Sequence, residues 1–129
     1  MPENQERRDQ RRFLRVDCRL FTEFQLPDEG DWLLAEVLDL SIVGLRVRFR
    51  ENQRKRAIKE EDIAWRDVRF RFRNRAEEFL LDGHFLMVYA KSDGCFTAGV
   101  EFVNVTPEQQ FKLVALYADY RRRGQNSDE

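Results

Sequence analysis

Apolar and polar residues alternate strictly in two segments of the sequence, residues 45–50 and 68–73, where arginines separate three apolar side chains. A period of two is what a β-strand with one buried and one solvated face requires. The same period, less regular, runs through four further segments: 16–26, 32–40, 78–89 and 95–103. Because most connecting loops are short and closure removes exposed edges, the pattern predicts an all-β-dominated fold, a closed or nearly closed antiparallel β-barrel of six to seven strands.

A C-terminal helix is predicted to begin after Thr106. A capping residue there is followed by a proline at the first helical position and by a glutamine three residues after the cap. The helix is expected to end near residues 123–124. Its apolar residues form one stripe with a second group beside it, and together they give a broad face that we expect to lie against the barrel. The stripe consists of Phe111, Val114 or Ala115, and Ala118, and the residues beside it are Leu113, Leu116, Tyr117 and Tyr120.

Two segments leave their local structure open. Residues 51–62 are highly charged, and Arg56 and Glu60 stand four apart in them, as in a solvated helix or a loop insertion. In the second predicted strand, residues 33–35 are all apolar, so the sequence does not show which face is buried. This run indicates a bulge or burial on both faces.

The chain has 129 residues, which suits one domain, and its 23 basic and 24 acidic side chains almost cancel. Net charge therefore gives no general attraction to nucleic acid or membranes. No apolar run approaches the roughly 20 residues that span a bilayer, and the N-terminus is too polar for a secretory signal. We expect a cytoplasmic protein with both cysteines reduced. Its expected parts are a flexible arm over 1–15, a domain over 16–123 and a disordered tail over 124–129.

Five arginines precede the first predicted strand, at positions 7, 8, 11, 12 and 15. Arg11 and Arg15 are separated by three residues, so they lie on one side of an extended or a helical segment and can converge on one anion. The guanidinium fork matches two acceptors at once, and its flat face stacks on bases. Taken alone, such a terminus is more typical of a solvated basic tail.

A second polar cluster lies at the end of the second strand. Asp39 and Ser41 are two apart and face the same way on an extended segment, and Gly44 follows where the chain turns back. A carboxylate can accept from the two adjacent N–H donors of guanine, and arginine complements guanine O6 and N7. Without context, this motif is more typical of an ordinary turn.

Together, the two clusters resemble the PilZ family, bacterial receptor domains for cyclic diguanylate (cyclic di-GMP) built on a small β-barrel. Residues 11–15 match its Arg-x-x-x-Arg motif in an N-terminal switch loop. Residues 39–44 match its Asp-x-Ser-x-x-Gly motif, and residues 99–104 are similar to its closing strand, which precedes a C-terminal helix. The resemblance therefore covers roughly residues 8 to 120.

The resemblance also implies a set of ligand-binding residues. Arg11 and Arg15 would hold the phosphates and the guanine faces of cyclic diguanylate, and Arg12 would add a phosphate contact or stack. Asp39 and Ser41 would contact guanine and nearby ligand oxygens, and Gly44 would keep the turn open. No metal and no cofactor other than this ligand is implied.

The leading interpretation is a non-enzymatic receptor that orders its N-terminal arm when the ligand binds and signals to a partner protein. One alternative is an adaptor of the same fold that no longer depends on nucleotide. Another is a small barrel that binds RNA or single-stranded DNA, against which the near-zero net charge counts. An enzyme is least expected, because no nucleophile with a base, phosphate-binding glycine loop or metal cluster is found by spacing. The strand arginines are expected to pair with carboxylates, or alternatively to form a docking face.

Overall fold

Strands dominate the computed structural model, which describes residues 15–27, 29–53 and 56–127. The elements in these ranges are β1 (Val16–Gln25), β2 (Leu33–Leu40), β3 (Gly44–Arg50), β4 (Asn52–Gln53), β5 (Arg56–Ala57), α1 (Glu60–Ile63), β6 (Asp67–Asn74), β7 (Glu77–Ser92), β8 (Cys95–Phe102) and α2 (Pro107–Ser127). The six longer strands form a closed antiparallel barrel in the order β1-β2-β3-β8-β7-β6. The predicted barrel is confirmed.

Aromatic side chains fill the barrel. In both arginine-containing runs the apolar residues point inward and are buried, as the period of two predicts. Phe24 lies at the centre, with its ring centroid 4.9 Å from that of Phe49 and 6.2 Å from those of Phe70 and Phe85. Rings at such distances and tilts pack favourably beyond the area that they bury. The barrel is therefore a packed core, and ligands have to bind on its outside.

Helix α2 packs on the barrel through one side of the broad apolar face that was predicted. Leu113 and Leu116 are fully buried, whereas Phe111 is 77% exposed. The predicted face was therefore too broad: its side with Leu113, Leu116, Tyr117 and Tyr120 meets the barrel, and its side with Phe111 and Val114 does not. The helix also continues to Ser127, past the predicted end. Neither helix in the described ranges combines the length and apolar character needed to cross a membrane.

The charged segment contributes to the core. Its described residues include the short strands β4 and β5 and the start of the single-turn helix α1, which ends at the buried Ile63. Ile58 within the segment is also buried. Arg56 holds it together by pairing with Glu29 at 2.8 Å and with Asp62 at 3.5 Å. These ion pairs connect Arg56, near the buried Ile58, with Glu29 and with helix α1.

Candidate functional site

The predicted site residue Asp39 lies at the end of β2, where the sheet is irregular. Its neighbours across the sheet are Asp17 on β1 and Arg46 on β3. The pairing of β2 with β3 shifts by one residue between Val37 and Asp39. Such bulges re-aim side chains and are frequent beside functional sites. Here the bulge accompanies the burial of both Asp39 and the following Leu40.

The irregularity expected in β2 therefore exists, but at another place. Leu33 and Ala35 are buried and Leu34 between them is exposed, as in a regular strand. The apolar character of Leu34 blurred the pattern in the sequence, although its side chain lies on the outer face.

Two arginines hold the Asp39 carboxylate. Arg15, directly before β1, places Nη1 2.8 Å from Oδ1, and Arg46 on β3 places Nε 2.9 Å from Oδ2. The Asp39 side chain is only 7% exposed, whereas both arginines are half-exposed. A buried carboxylate is costly unless it is paired, and here each oxygen has its own cation. The result is a preorganised cluster with two guanidinium groups at the surface.

Ser41 forms the turn between β2 and β3 through its hydroxyl. The hydroxyl accepts hydrogen bonds from the backbone N–H groups of Val43 at 3.2 Å and Gly44 at 3.1 Å, and it donates to the Gly44 carbonyl oxygen at 3.1 Å. The Ser41 backbone N–H also donates to that oxygen, at 2.8 Å. Ser41 is buried, so its hydroxyl is fully used within the turn. Its contact with a ligand stays a prediction.

Gly44 is required by the neighbouring strand. A Cβ atom at this position would lie 2.3 Å from the Val100 carbonyl oxygen and 3.4 Å from the Cα of Glu101 on β8. The backbone φ angle of Gly44 is not positive, so conformational freedom is not the reason for a glycine at this position. The close approach of β3 and β8 is the reason, and it ties the turn to the barrel.

The structure brings three of the predicted site residues, Asp39, Ser41 and Gly44, into one corner of the barrel, with Arg15 bound to the first of them. Arg11 and Arg12 lie outside the described residues, and so does most of the predicted arm. Their part in the site stays a prediction. Within the described ranges, no group of three or more His, Cys, Asp or Glu side chains could hold a metal ion.

Two residues that belong to this corner were not singled out from the sequence. Arg46 was predicted only to pair with some carboxylate or to belong to a docking face, although its place two residues after the Asp-x-Ser-x-x-Gly motif was a usable signal. Tyr89 packs against Gly99, with its hydroxyl oxygen 3.0 Å from where a Cβ of Gly99 would lie. Gly99 is the cross-strand partner of Arg46. A half-exposed aromatic ring therefore continues the surface beyond Arg46.

Cys18 lies on β1 beside this corner, and its buried thiol is 3.5 Å from the Val37 carbonyl oxygen. Burial, with the negative charges of Asp39 and Asp17 adding to it, raises the pKa of the Cys18 thiol from 9.0 to about 12. Cys18 and Cys95 are both free thiols. Because reactive cysteines need an accessible thiolate, Cys18 is a structural residue.

The raised pKa predicts a loss of stability at alkaline pH. The folded state keeps the thiol proton, while the unfolded chain loses it near pH 9.0, so this contribution is complete below pH 9.0 and disappears as the pH rises toward about 12. We expect Cys18 to lower the free energy of unfolding by about 1.4 kcal/mol between about pH 8 and about pH 10. Urea unfolding at both pH values should show this loss in the wild type and in Cys95→Ala but not in Cys18→Ala. Equal pH dependence in all three proteins would contradict the assignment.

Comparison with known proteins gives a family match and several similar folds. The sequence matches the model of the PilZ domain over residues 6–119. The PilZ domain of YcgR from Escherichia coli, described with c-di-GMP, has a TM-score of 0.64 and 14% identity, over 91% of this chain and 95% of that one. The PilZ domain of CeSA from a cellulose-synthesising bacterium has a TM-score of 0.58 and 16% identity, over 82% of this chain and 96% of that one.

The Bacillus subtilis inhibitor of motility, MotI/DgrA, has a TM-score of 0.63 and 12% identity, over 91% of this chain and 52% of that one. At these identities the likeness concerns the fold. No match was found among curated proteins.

Proposed function

The chain belongs to the PilZ domain family, and from that premise we propose that it is a non-enzymatic receptor that binds cyclic diguanylate at Arg15, Asp39 and Arg46. The observation that carries the proposal is the Asp39 carboxylate with one arginine on each oxygen. Beside it stands a turn whose conformation Ser41 already holds. Such a corner offers cations for phosphates and an anion for the donors of guanine.

The chemistry of cyclic diguanylate complements this corner. The ligand carries two phosphates and two guanines, and the Watson–Crick edge of guanine presents two neighbouring N–H donors. An ionised carboxylate has about four acceptor positions. Arg15 and Arg46 use one on each oxygen, so Asp39 keeps the capacity to accept from guanine. The guanidinium groups suit both the phosphates and guanine O6 and N7.

The burial of Asp39 means that one arginine has to move before guanine can reach it. We propose that Arg15 moves, because it lies before the first residue of β1, whereas Arg46 lies within a barrel strand that is paired on both sides. The Arg15 guanidinium would exchange the carboxylate for a ligand phosphate. Ser41 would act by positioning the turn, and Gly44 by allowing it to lie close to β8.

Signalling is a further part of the proposal. Arg11 and Arg12 would join the ligand from the N-terminal segment, so that residues 7–15 become ordered over the corner at Asp39 when the ligand is bound. The covered surface would then be recognised by a partner protein. A bacterial cytoplasmic location agrees with the two free thiols, since such compartments keep cysteines reduced.

Titration calorimetry with cyclic diguanylate tests the proposal. We expect saturable binding with a Kd below about 10 µM, which weakens as salt is raised because charge pairs dominate the contact. GTP and the linearised dinucleotide are the controls, and both should bind at least about tenfold more weakly. A folded protein that binds none of them would overturn the receptor and favour the nucleotide-independent adaptor.

A further inference from the structure

Helix α2 turns a second apolar stripe away from the barrel. Phe111 is 77% exposed and Val114 is 42% exposed, and Ala115 beside them is also exposed. Leu113 and Leu116 on the opposite side already hold the helix to the core. The outward stripe therefore adds nothing to the attachment of α2 within the described part of the chain, and its exposed apolar side chains are free to contact another molecule.

A line of residues that includes Phe111 and Ala115 has the spacing of a coiled-coil seam. Residues 108, 111, 115, 118 and 122 follow one another at intervals of three, four, three and four. This alternation keeps one line of side chains facing a partner helix along its length. The helical rise makes the seam about 21 Å long, so it suits a partner helix of similar length.

The charges at the two ends of the seam are opposite. Glu108 near the start of α2 is 82% exposed at its side chain, and Arg122 near the end is 68% exposed. Arg121 beside it is exposed as well. An antiparallel copy of the same helix places Glu108 opposite Arg122 and the large Phe111 opposite the small Ala118. A parallel copy would place like charges together.

We propose that this face of α2 binds the same face of a second copy of the chain, antiparallel, around a two-fold axis near Ala115. The face complements itself in charge and in side-chain size, as an isologous interface requires. Within the residues that the structure describes, the charged ends of the seam contact their own helix and leave its apolar centre exposed: Glu108 contacts Lys112, and Arg122 contacts Asp119. The inference does not depend on the ligand or on Arg15 and Asp39.

Sedimentation over a range of concentrations tests this interaction. A single helix pair is a small interface, so we expect a monomer–dimer equilibrium with a Kd in the tens of micromolar, roughly. Phe111→Ser should weaken the dimer at least about tenfold, because it removes a central anchor. Phe21→Ser is the matched control: Phe21 on β1 is 63% exposed, and its loss should leave the dimer unchanged. Circular dichroism checks that both variants are folded.

Charge reversal and cross-linking test the antiparallel arrangement. Glu108→Arg and Arg122→Glu should each weaken the dimer, and the two changes combined should restore it. In a Cys95→Ser background, Ala115→Cys should form a disulfide dimer under mild oxidation, whereas Ala76→Cys, in an exposed turn, should not. A monomer at all concentrations, or a dimer insensitive to Phe111→Ser, overturns the proposal. Failure of the double reversal to restore the dimer overturns the antiparallel arrangement.

Discussion

Arg15→Ala is expected to weaken the binding of cyclic diguanylate by at least about tenfold and up to about a hundredfold. A hydrogen bond to a charged group contributes about 1.5–3 kcal/mol. We propose that the Arg15 guanidinium leaves the Asp39 carboxylate and binds a ligand phosphate, so the variant loses such a bond. Arg46 keeps Asp39 paired in the variant, at 2.9 Å, so the fold should persist. Calorimetry gives the affinity, and thermal unfolding gives the stability.

Arg73→Ala is the matched control for this prediction. Like Arg15→Ala, it removes one positive charge and one ion pair. The pair that it removes is the exposed one between Arg73 on β6 and Glu78, at 3.1 Å. Affinity should stay within about twofold of the wild type, since a distant surface charge is largely screened. If Arg15→Ala bound as tightly as Arg73→Ala, the fold would stand and the proposed site would be wrong.

Gly44→Ala is expected to lower the free energy of unfolding by about 2–4 kcal/mol, which corresponds to a fall in Tm of about 10 °C. The added methyl group would lie 2.3 Å from the Val100 carbonyl oxygen. That oxygen belongs to the backbone of β8, which pairs directly with β3, so the clash can be relieved only if the two strands separate. Urea and thermal unfolding measure the loss.

Gly30→Ala separates this steric effect from the general effect of replacing a glycine. No heavy atom lies within 4 Å of a Cβ at Gly30, so its substitution should change stability by less than about 0.5 kcal/mol. A Gly44→Ala protein as stable as Gly30→Ala would show that the turn does not approach β8 as closely as described.

The barrel could be predicted because its signal is local. In the run at residues 45–50, the alternation of apolar residues with arginines is enough to show which face of the strand is buried, and no long-range information is needed. Helix α2 shows the limit of such reasoning. Both of its stripes have helical spacing, and only the shape of the barrel surface selects the one with Leu113 and Leu116. For residues 51–62 the sequence left a solvated helix or a loop insertion open. The burial of Ile58 could not be anticipated, because an isolated apolar residue has no periodic pattern.

The corner at Asp39 could be anticipated only in part from the sequence, and its role as a ligand site stays a prediction. The motif residues Asp39, Ser41 and Gly44 were identified from spacing, but the sequence did not indicate that Arg46 shares the carboxylate with Arg15. That contact depends on the register of three strands and on the bulge beside Val37, neither of which spacing determines. The roles of Arg11 and Arg12 stay predictions, because these residues lie outside the described part of the chain.

The Gln53 side chain bonds to the backbone of Leu34 near the start of β2, beyond the last residue of β2 that pairs with β3. Its side-chain amide accepts a hydrogen bond from the Leu34 backbone N–H at 2.8 Å and donates to the Leu34 carbonyl oxygen at 3.0 Å, as a neighbouring strand would. Unpaired strand edges act as templates for aggregation and for recognition by strand addition. Here one glutamine side chain removes such a template. The addition of another strand at Leu34 would therefore have to displace the Gln53 side chain.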